Sequence, residues 1–448
     1  MNLRHEQKRK KLTVIFLIMN FLLCLFGCQK SDLIKHSSNS DSLVIYILED
    51  NYQMWELESL IDKYQSENPD KRVELQIGIK KDTDNREQVI QRLNNAIIAG
   101  KGPDILVLEG LPQEKYVEQG MLADLKTYVE KIETDNDLFE TIVNSYKTNG
   151  TQYGIPYCFT LFNVATNRKN GHIPDINTLT DFTTYLKSIN NNGEKELFEK
   201  WSYDQIISMM YRLYVAETTG FLENISDEGI ENYYEAIYET YNMVDMLEVE
   251  EAGKTMEKVS LLPLGYESFD LVATGDMELA FDYIETPANL RNLILLQQNG
   301  YETKLLRNEN ELLCVPAITF GVVNTTDKSA MIEEFLSFAF SKNVQEEMDT
   351  LPVNKEAMKE KLQSGEQEKI TLVNDEYSTE ITLKYTPLSE KEIDTWLNLF
   401  EHTNCVGMTD QKIFQIIMQQ AVNVIKENMT ATAAAEEAYR QITIYQNE

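Results

Sequence analysis

The sequence predicts an α/β fold in two lobes that share one chain, each lobe a mostly parallel sheet flanked by helices. Three observations carry this. Strand-like and helical segments alternate as β-α-β-α-β from Ser42 to Leu108. A run rich in aromatic and β-branched residues (150–169) then breaks the alternation and reads as extended chain. Strand and helix material returns at 313–348 with no linker in between. Continuous apolar strands set between helices argue for a sheet covered on both faces. A chain that returns to such material without a linker fits two lobes joined by several crossings, not separate domains in a row.

Each element has its own signal. "SLVIYILEDN" (42–51) is a short β-branched apolar run, so it reads as a buried strand. In the next segment Trp55, Leu57, Leu60, Ile61 and Tyr64 are taken as one helical stripe, and the helix stops before Pro69. Trp55 and Trp396 are both read as core. "KRVELQIGI" alternates Val73, Leu75, Ile77 and Ile79, the mark of a second strand. "NREQVIQRLNNAIIAG" is an amphipathic helix closed by Gly100. "DILVLEG" is a third buried strand. Helical segments follow at "KYVEQGMLADL" and "DLFETIVNSYK". Residues 174–260 are mainly helical and acidic. "GDMELAFDY" (275–283) and "LCVPAITFGVV" (313–323) are strands. "SAMIEEFLSFAFSKNVQEEM" reads as one amphipathic helix. "TWLNLFEHTN", "DQKIFQIIMQQAVNVIKEN" and "TATAAAEEAYRQITIYQNE" make a helical C-terminus.

The "GKGPD" turn at 100–104 has the order helix, glycines, strand. A phosphate cradle needs the reverse, so that amides at a helix N-terminus face the anion. Pro103 has no N–H to give a ladder and fits where a strand begins. The turn is therefore structural, and the strand's other end, Glu109-Gly110, is the functional candidate.

Arg4, Lys8, Arg9, Lys10 and Lys11 precede an apolar run from Leu12 to Phe26. The run is shorter than a membrane span of about 20 residues. It ends in Leu25-Phe26-Gly27-Cys28, which resembles the lipobox of bacterial lipoproteins. That resemblance implies cleavage before Cys28 and lipid attachment to its sulfur, holding the protein at a membrane surface. Residues 28–41 are polar and Ser-rich and read as a flexible tether. The whole chain has 41 Lys and Arg against 73 Asp and Glu. Removing residues 1–27 takes away five cationic side chains and one acidic one, leaving 36 against 72. Such a surface repels nucleic acid and anionic lipid. Cys158, Cys314 and Cys405 remain in the body without close spacing, so no metal cluster is indicated. They read as buried free thiols, with one disulfide as the alternative.

Several motifs, in order, resemble the extracellular solute-binding proteins of ABC importers, family 1, typified by sugar and maltose binders. They are "LIDKYQSENPDKRVEL", "RLNNAIIAGKGPDILVLEG", "GTQYGIPYCFTLFNVATNRK", "ATGDMELAF", "FGVVNTTDKSAMIEEFLSFAFSKNVQEEM", "LPVNKEA" and "EEAYRQITIYQNE". Asp276 and Glu278 depart from the basic and small residues usual in the fourth. The resemblance spans residues 42–448 and implies a type II periplasmic-binding-protein clamshell. With it the chain divides into a signal peptide (1–27), a tether (28–41), lobe 1 (42–157 and 318–365), lobe 2 (158–317), and a hinge with lobe 2's C-terminal helices (366–448). It also implies a small-molecule solute, a carbohydrate by preference, and delivery to ABC transporter permease subunits. The protein is expected to be a monomer without cofactor, extracytoplasmic and lipid-anchored.

Ligands of open parallel sheets bind outside the carboxyl ends of the strands. Asp50 and Tyr52 follow the first strand and Glu109 the third, so these are ligand candidates. Tyr157 lies at the first crossing between lobes. Trp201 is a stacking candidate by the family resemblance. Asp282 and Tyr283 leave the strand that matches the "ATGDMELAF" motif. Catalysis has no such support. There are four histidines, and His5 and His36 lie in the signal and tether. No metalloprotease, nucleophile-elbow or Walker pattern occurs. The alternatives are a binder of a non-sugar solute, a binder that feeds a membrane sensor, or a secreted polysaccharide-acting enzyme.

Overall fold

The computed structural model describes residues 42–49, 52–80, 85–169, 172–189, 203–218, 224–243, 269–275, 279–308, 311–374, 379–405 and 410–447. Strand β1 (Ser42–Glu49) is buried along almost its whole length. Helix α1 (Tyr52–Glu67) and strand β2 (Arg72–Ile79) follow, then α2 (Arg86–Ile98) and β3 (Ile105–Val107). The three strands pair in parallel in the order β2-β1-β3. Side chains alternate across a strand, and β1 divides its residues accordingly. Leu43, Ile45 and Ile47 pack with Leu57, Leu60, Ile61 and Tyr64 of α1. Tyr46 and Leu48 pack with Val89, Leu93 and Ile97 of α2. This is the doubly covered parallel sheet that the apolar runs predict.

Trp55 is a correction. It is 75% exposed, not core. Leu57, Leu60, Ile61 and Tyr64 already form a complete i, i+3, i+4, i+7 stripe. Trp55 stands two residues before Leu57, about 200° round the helix, on the opposite face. Trp396 is buried, as expected.

Short elements lead to the crossing: α3 (Gln113–Glu118), α4 (Lys126–Asp135), α5 (Glu140–Val143), β4 (Lys147–Thr148) and β5 (Thr151–Gln152). Then β6 (Ile155–Lys169) runs for 15 residues. The second region begins with α6 (Leu179–Ile189), α7 (Tyr203–Glu217), α8 (Asp227–Met243) and α9 (Phe269–Thr274). It continues with β7 (Leu279–Ile284), α10 (Pro287–Gln298), β8 (Tyr301–Leu305), β9 (Arg307–Asn308) and the long β10 (Glu311–Val322). After β10 come α11 (Ser329–Ala339), α12 (Lys342–Glu347), β11 (Leu351–Pro352) and α13 (Lys355–Gln363). A hairpin of β12 (Glu368–Asn374) and β13 (Thr379–Tyr385) precedes α14 (Glu390–Phe400). Strand β14 (Thr403–Cys405) and helices α15 (Gln411–Ile425) and α16 (Ala431–Asn447) complete the chain.

One sheet passes through the molecule, in the order β11-β6-β10-β3-β1-β2. The first half of β6 pairs with β10, and its second half with β7 and β8. β10 continues from β6 onto β3. Both long strands therefore belong to both lobes, and the divisions at 157/158 and 317/318 fall inside them. The expectation of a mostly parallel sheet holds for β1, β2 and β3 but not for the second lobe. There the described pairs of β6 with β7 and β8 are antiparallel. A chain that crosses on β6 and returns on β10 must run opposite to itself, and this reverses the pairing at the join.

Three local readings also change. The segment 329–348 is two helices, because Ser341 adopts extended dihedrals between them. Thr403 and Asn404, read as the end of a helix, belong instead to a strand, Thr403–Cys405, parallel to β10. The β12–β13 hairpin was not anticipated.

The turn before β3 is fastened by Asp104, which is only 5% exposed. One oxygen accepts from the Val44 amide at 2.8 Å and from Lys328 Nζ at 2.9 Å. The other accepts from Thr326 Oγ1 at 2.6 Å. Gly100 closes α2 in the left-handed region, φ +64°. Removing Asp104 leaves the Lys328 ammonium unpaired, and breaking a buried pair costs about 3 kcal/mol or more. Asp104→Ala is therefore expected to lower unfolding free energy by about 3 kcal/mol in chemical denaturation. A loss near zero would show that the tie does not matter.

Candidate functional site

The carboxyl ends of β1 and β3 are braced together by Arg86, the first residue of α2. Its guanidinium pairs with Glu49 and donates to the Gly110 carbonyl at 2.8 Å. Gly110 has φ +76°, and a Cβ there would stand 2.5 Å from the Arg86 guanidinium. Only glycine satisfies both conditions. Burial pulls the Arg86 pKa down to about 10, opposed by the charge of Asp410. An arginine in a first helical turn works against the helix dipole. That misfit was the available signal that Arg86 has a dedicated acidic partner.

The C-terminal helices approach this edge from the second lobe. Lys412 Nζ meets Glu87 at 2.7 Å. Lys115 Nζ lies 4.2 Å over the Tyr445 ring and donates to the Tyr445 carbonyl at 3.1 Å. The Tyr445 hydroxyl donates to Asp410 at 2.6 Å. Tyr234 of α8 in turn holds Ile417 of α15, its hydroxyl donating to the carbonyl at 2.9 Å.

A second group of side chains surrounds the crossing strands. Glu109 follows β3 and is 5% exposed. Both of its oxygens accept from the Thr319 amide, at 2.9 and 3.0 Å. The Leu108 amide donates to the Thr319 carbonyl at 2.9 Å. The residue before Thr319, Ile318, has φ +51°, a strained conformation for a β-branched side chain. Glu109 thus holds a strained bend in β10. Burial pushes its pKa up to about 7.

Glu56, on α1 beside Trp55, accepts from the Asp349 amide at 3.2 Å. Burial also lifts it to about 7, partly offset by Asp349 and Lys361. Glu285 follows β7 and is likewise lifted to about 7 by burial. Its Oε1 is buried without a hydrogen-bond partner. All three carboxylates act on the buried Cys158 thiol, pushing it further above its ordinary pKa after burial itself. They come from the first lobe (Glu56, Glu109) and the second (Glu285), and they converge where the strands cross.

The expected site residues fare differently. Glu109 is at the predicted strand end, yet its carboxylate is committed to Thr319. Tyr157 is at the crossing but is 1% exposed, its ring 5.8 Å from those of Phe320 and Phe340. It is a core residue in this structure. Tyr283 is 8% exposed and meets the Phe162 ring edge-on at 5.2 Å. Asp282 lies on β7 opposite Asn163. Tyr52 opens α1. Asp50, Trp201 and the lipidation candidate Cys28 lie outside the described residues. The residues not foreseen are Arg86, Glu56, Glu285, Asp410 and the exposed Trp55.

A cavity of about 320 Å³ lies between α10, α13 and the β12–β13 hairpin, lined in part by Arg291, Lys361, Glu368 and Tyr385. Arg291 pairs with Glu368 and sits 4.5 Å over the Tyr385 ring. None of the expected site residues lines this cavity.

Residues 59–367 match the family described as bacterial extracellular solute-binding proteins. No curated protein sequence matches the chain. Solved structures share the fold at low identity. A family 1 extracellular solute-binding protein of Alicyclobacillus acidocaldarius is 13% identical with a TM-score of 0.52, covering 91% of this chain and 98% of its own. An ABC substrate-binding protein of Listeria monocytogenes, in complex with cycloalternan, is 17% identical with a TM-score of 0.52, covering 91% and 99%. The maltose-bound MalE3 of T. maritima is 11% identical with a TM-score of 0.52, covering 90% and 100%.

These three carboxyls, one buried and two half-buried, set a pH dependence of known sign. Glu56, Glu109 and Glu285 titrate near 7 when folded instead of the ordinary 4.5. The folded state therefore holds more protons than the unfolded state between those values. Their stabilising contribution is complete below about 4.5 and is lost as pH rises through about 7. The melting temperature is expected to be about 3 °C or more higher at pH 5 than at pH 8, with a shallower slope in Glu109→Gln. A melting temperature that rises with pH over this range would overturn the assignment.

Proposed function

Since the chain belongs to the bacterial extracellular solute-binding protein family, we propose that it captures a carbohydrate between its lobes and delivers it to an ABC importer permease. The observation that carries this reading is the exposed Trp55, on the first turns of α1 at the carboxyl end of the parallel sheet. A large aromatic ring left in water beside a half-buried carboxylate is an apolar platform with a hydrogen-bond acceptor next to it. Sugars present an apolar C–H face and a rim of hydroxyls, so they fit such a pair. Asp50, which follows β1 in the sequence, and Tyr52, the first residue of α1, belong to the same edge in this proposal. The sugar-bound neighbours support the solute class.

Closure is proposed to work by adding second-lobe groups, Glu285 and Asp410, to the first-lobe edge. A solute that touches both lobes favours the closed form, and a permease reads that shape. We also propose that cleavage before Cys28 and lipidation of its sulfur hold the body outside the cytoplasmic membrane as a monomer. The protein carries out no reaction on its solute.

A thermal-shift series across mono- and oligosaccharides tests this. A solute that binds only the folded form must raise the melting temperature. Absence of any shift across a broad panel would sink the carbohydrate reading, and turnover of the ligand would sink the binding-protein reading. With the ligand in hand, Trp55→Ala should weaken binding about tenfold in titration calorimetry, on the order of one stacking contact. The melting temperature of the empty variant should be unchanged, since the ring is exposed. Undiminished affinity would remove Trp55 from the site.

A further inference from the structure

Cys314 on β10 and Cys405 on β14 stand directly opposite each other in a parallel pair. Neighbouring strands lie about 4.8 Å apart, inside the Cα separation of about 4.4–6.8 Å that a disulfide spans. Residues opposite each other across parallel strands project from the same face of the sheet. Burial raises the Cys314 thiol well above its ordinary pKa, and the neighbouring Cys405 side chain adds to it. In this structure both are free thiols, Cys405 half-buried and Cys314 fully buried. Cys405 Sγ also lies 3.8 Å from the Thr141 carbonyl and from Thr403 Oγ1. Cys158 is no competitor. It pairs with Ala317, three positions along β10 from Cys314, about 10 Å at the rise of a strand.

We propose that Cys314 and Cys405 form an intrachain disulfide that fastens β14 to the crossing strand β10. The compartment of the extracellular binding-protein family is an oxidising one, where such pairs persist. The oxidant is a disulfide donor, a thiol–disulfide oxidoreductase in the cell envelope or oxidised glutathione in a test tube. The half-exposed Cys405 thiolate attacks the donor disulfide, and one donor thiolate leaves. The Cys314 thiolate then attacks the Cys405 side of the mixed disulfide and releases the second donor thiolate. Two protein thiols are oxidised, the donor is reduced to two thiols, and the two protons from the cysteines pass to the released thiolates. The bond closes a loop containing α11 to α14 and holds the segment that feeds the C-terminal helices.

The test uses the full chain incubated with oxidised glutathione, then unfolded, alkylated and digested without reductant. Mass spectrometry should find the Cys314 and Cys405 peptides joined and two hydrogens lighter than their sum, and separated by dithiothreitol. Cys158 should be alkylated. The link should persist in Cys158→Ser and vanish in Cys405→Ser, where Cys314 becomes alkylated. Recovery of both cysteines alkylated, a glutathione adduct left on Cys405, or a link from either to any other thiol would overturn the proposal. The variant at half-exposed Cys405 keeps its fold, which a melting curve checks. Because the donor is added, failure here is distinct from failure of the sugar-binding reading.

Discussion

The structure depends on the pairing of β6 with β10. These two strands run through both lobes, and every other strand of the large sheet pairs with one of them except β1 and β2, which are linked to β10 through β3. Their antiparallel course follows from a chain that leaves one lobe and comes back. Among the described residues, the pairing also contains the one β-branched side chain at positive φ, Ile318. Such strain survives only where its surroundings over-determine it. Here the Glu109 carboxylate and the Leu108 amide grip Thr319 from just beyond the end of β3. A bend in one crossing strand is thus controlled from the carboxyl end of the first-lobe sheet, the edge where a solute is expected.

The same edge explains why charge can be buried here. Arg86 joins Glu49 to Gly110, so the loop ends of β1 and β3 are held by a charged fork and not by apolar packing. Glu56, Glu109 and Glu285 have no comparable cation. Burial therefore favours their protonated forms near neutrality, and a neutral carboxyl can donate as well as accept a hydrogen bond. At the proposed site a polyhydroxyl solute would meet groups of either polarity at one place.

Much of this was legible in the residues. The β-α-β-α-β order, the glycine closing α2 and the structural nature of the "GKGPD" turn all follow from period and punctuation. The long extended runs that became β6 and β10 were visible, but their direction was not, because pairing sense depends on where the chain returns. The parallel expectation for the second lobe failed for that reason. Trp55 was misplaced because an aromatic next to a stripe was counted into it, although its angle put it opposite. Tyr157 was assigned to the cleft from its place in a motif, and only packing shows Phe320 and Phe340 closing over it. Glu109 was found by position, but its tie to Thr319 joins residues 210 apart in sequence, which no local pattern reveals. The β12–β13 hairpin carries a weak alternation that was passed over beside stronger helical signals.

The contacts of Lys412 with Glu87 and of Lys115 with Tyr445 involve no solute. Each joins a side chain of the first lobe to a helix packed on the second. Any separation of the lobes has to break both contacts. Part of the free energy of closure is therefore intrinsic to the chain, and it sets how often the empty molecule shuts unaided. A permease that responds to shape alone would meet this background as idle signals. Under the proposed closure mechanism, the strength of these two surface pairs would limit how faithfully shape reports a carried solute.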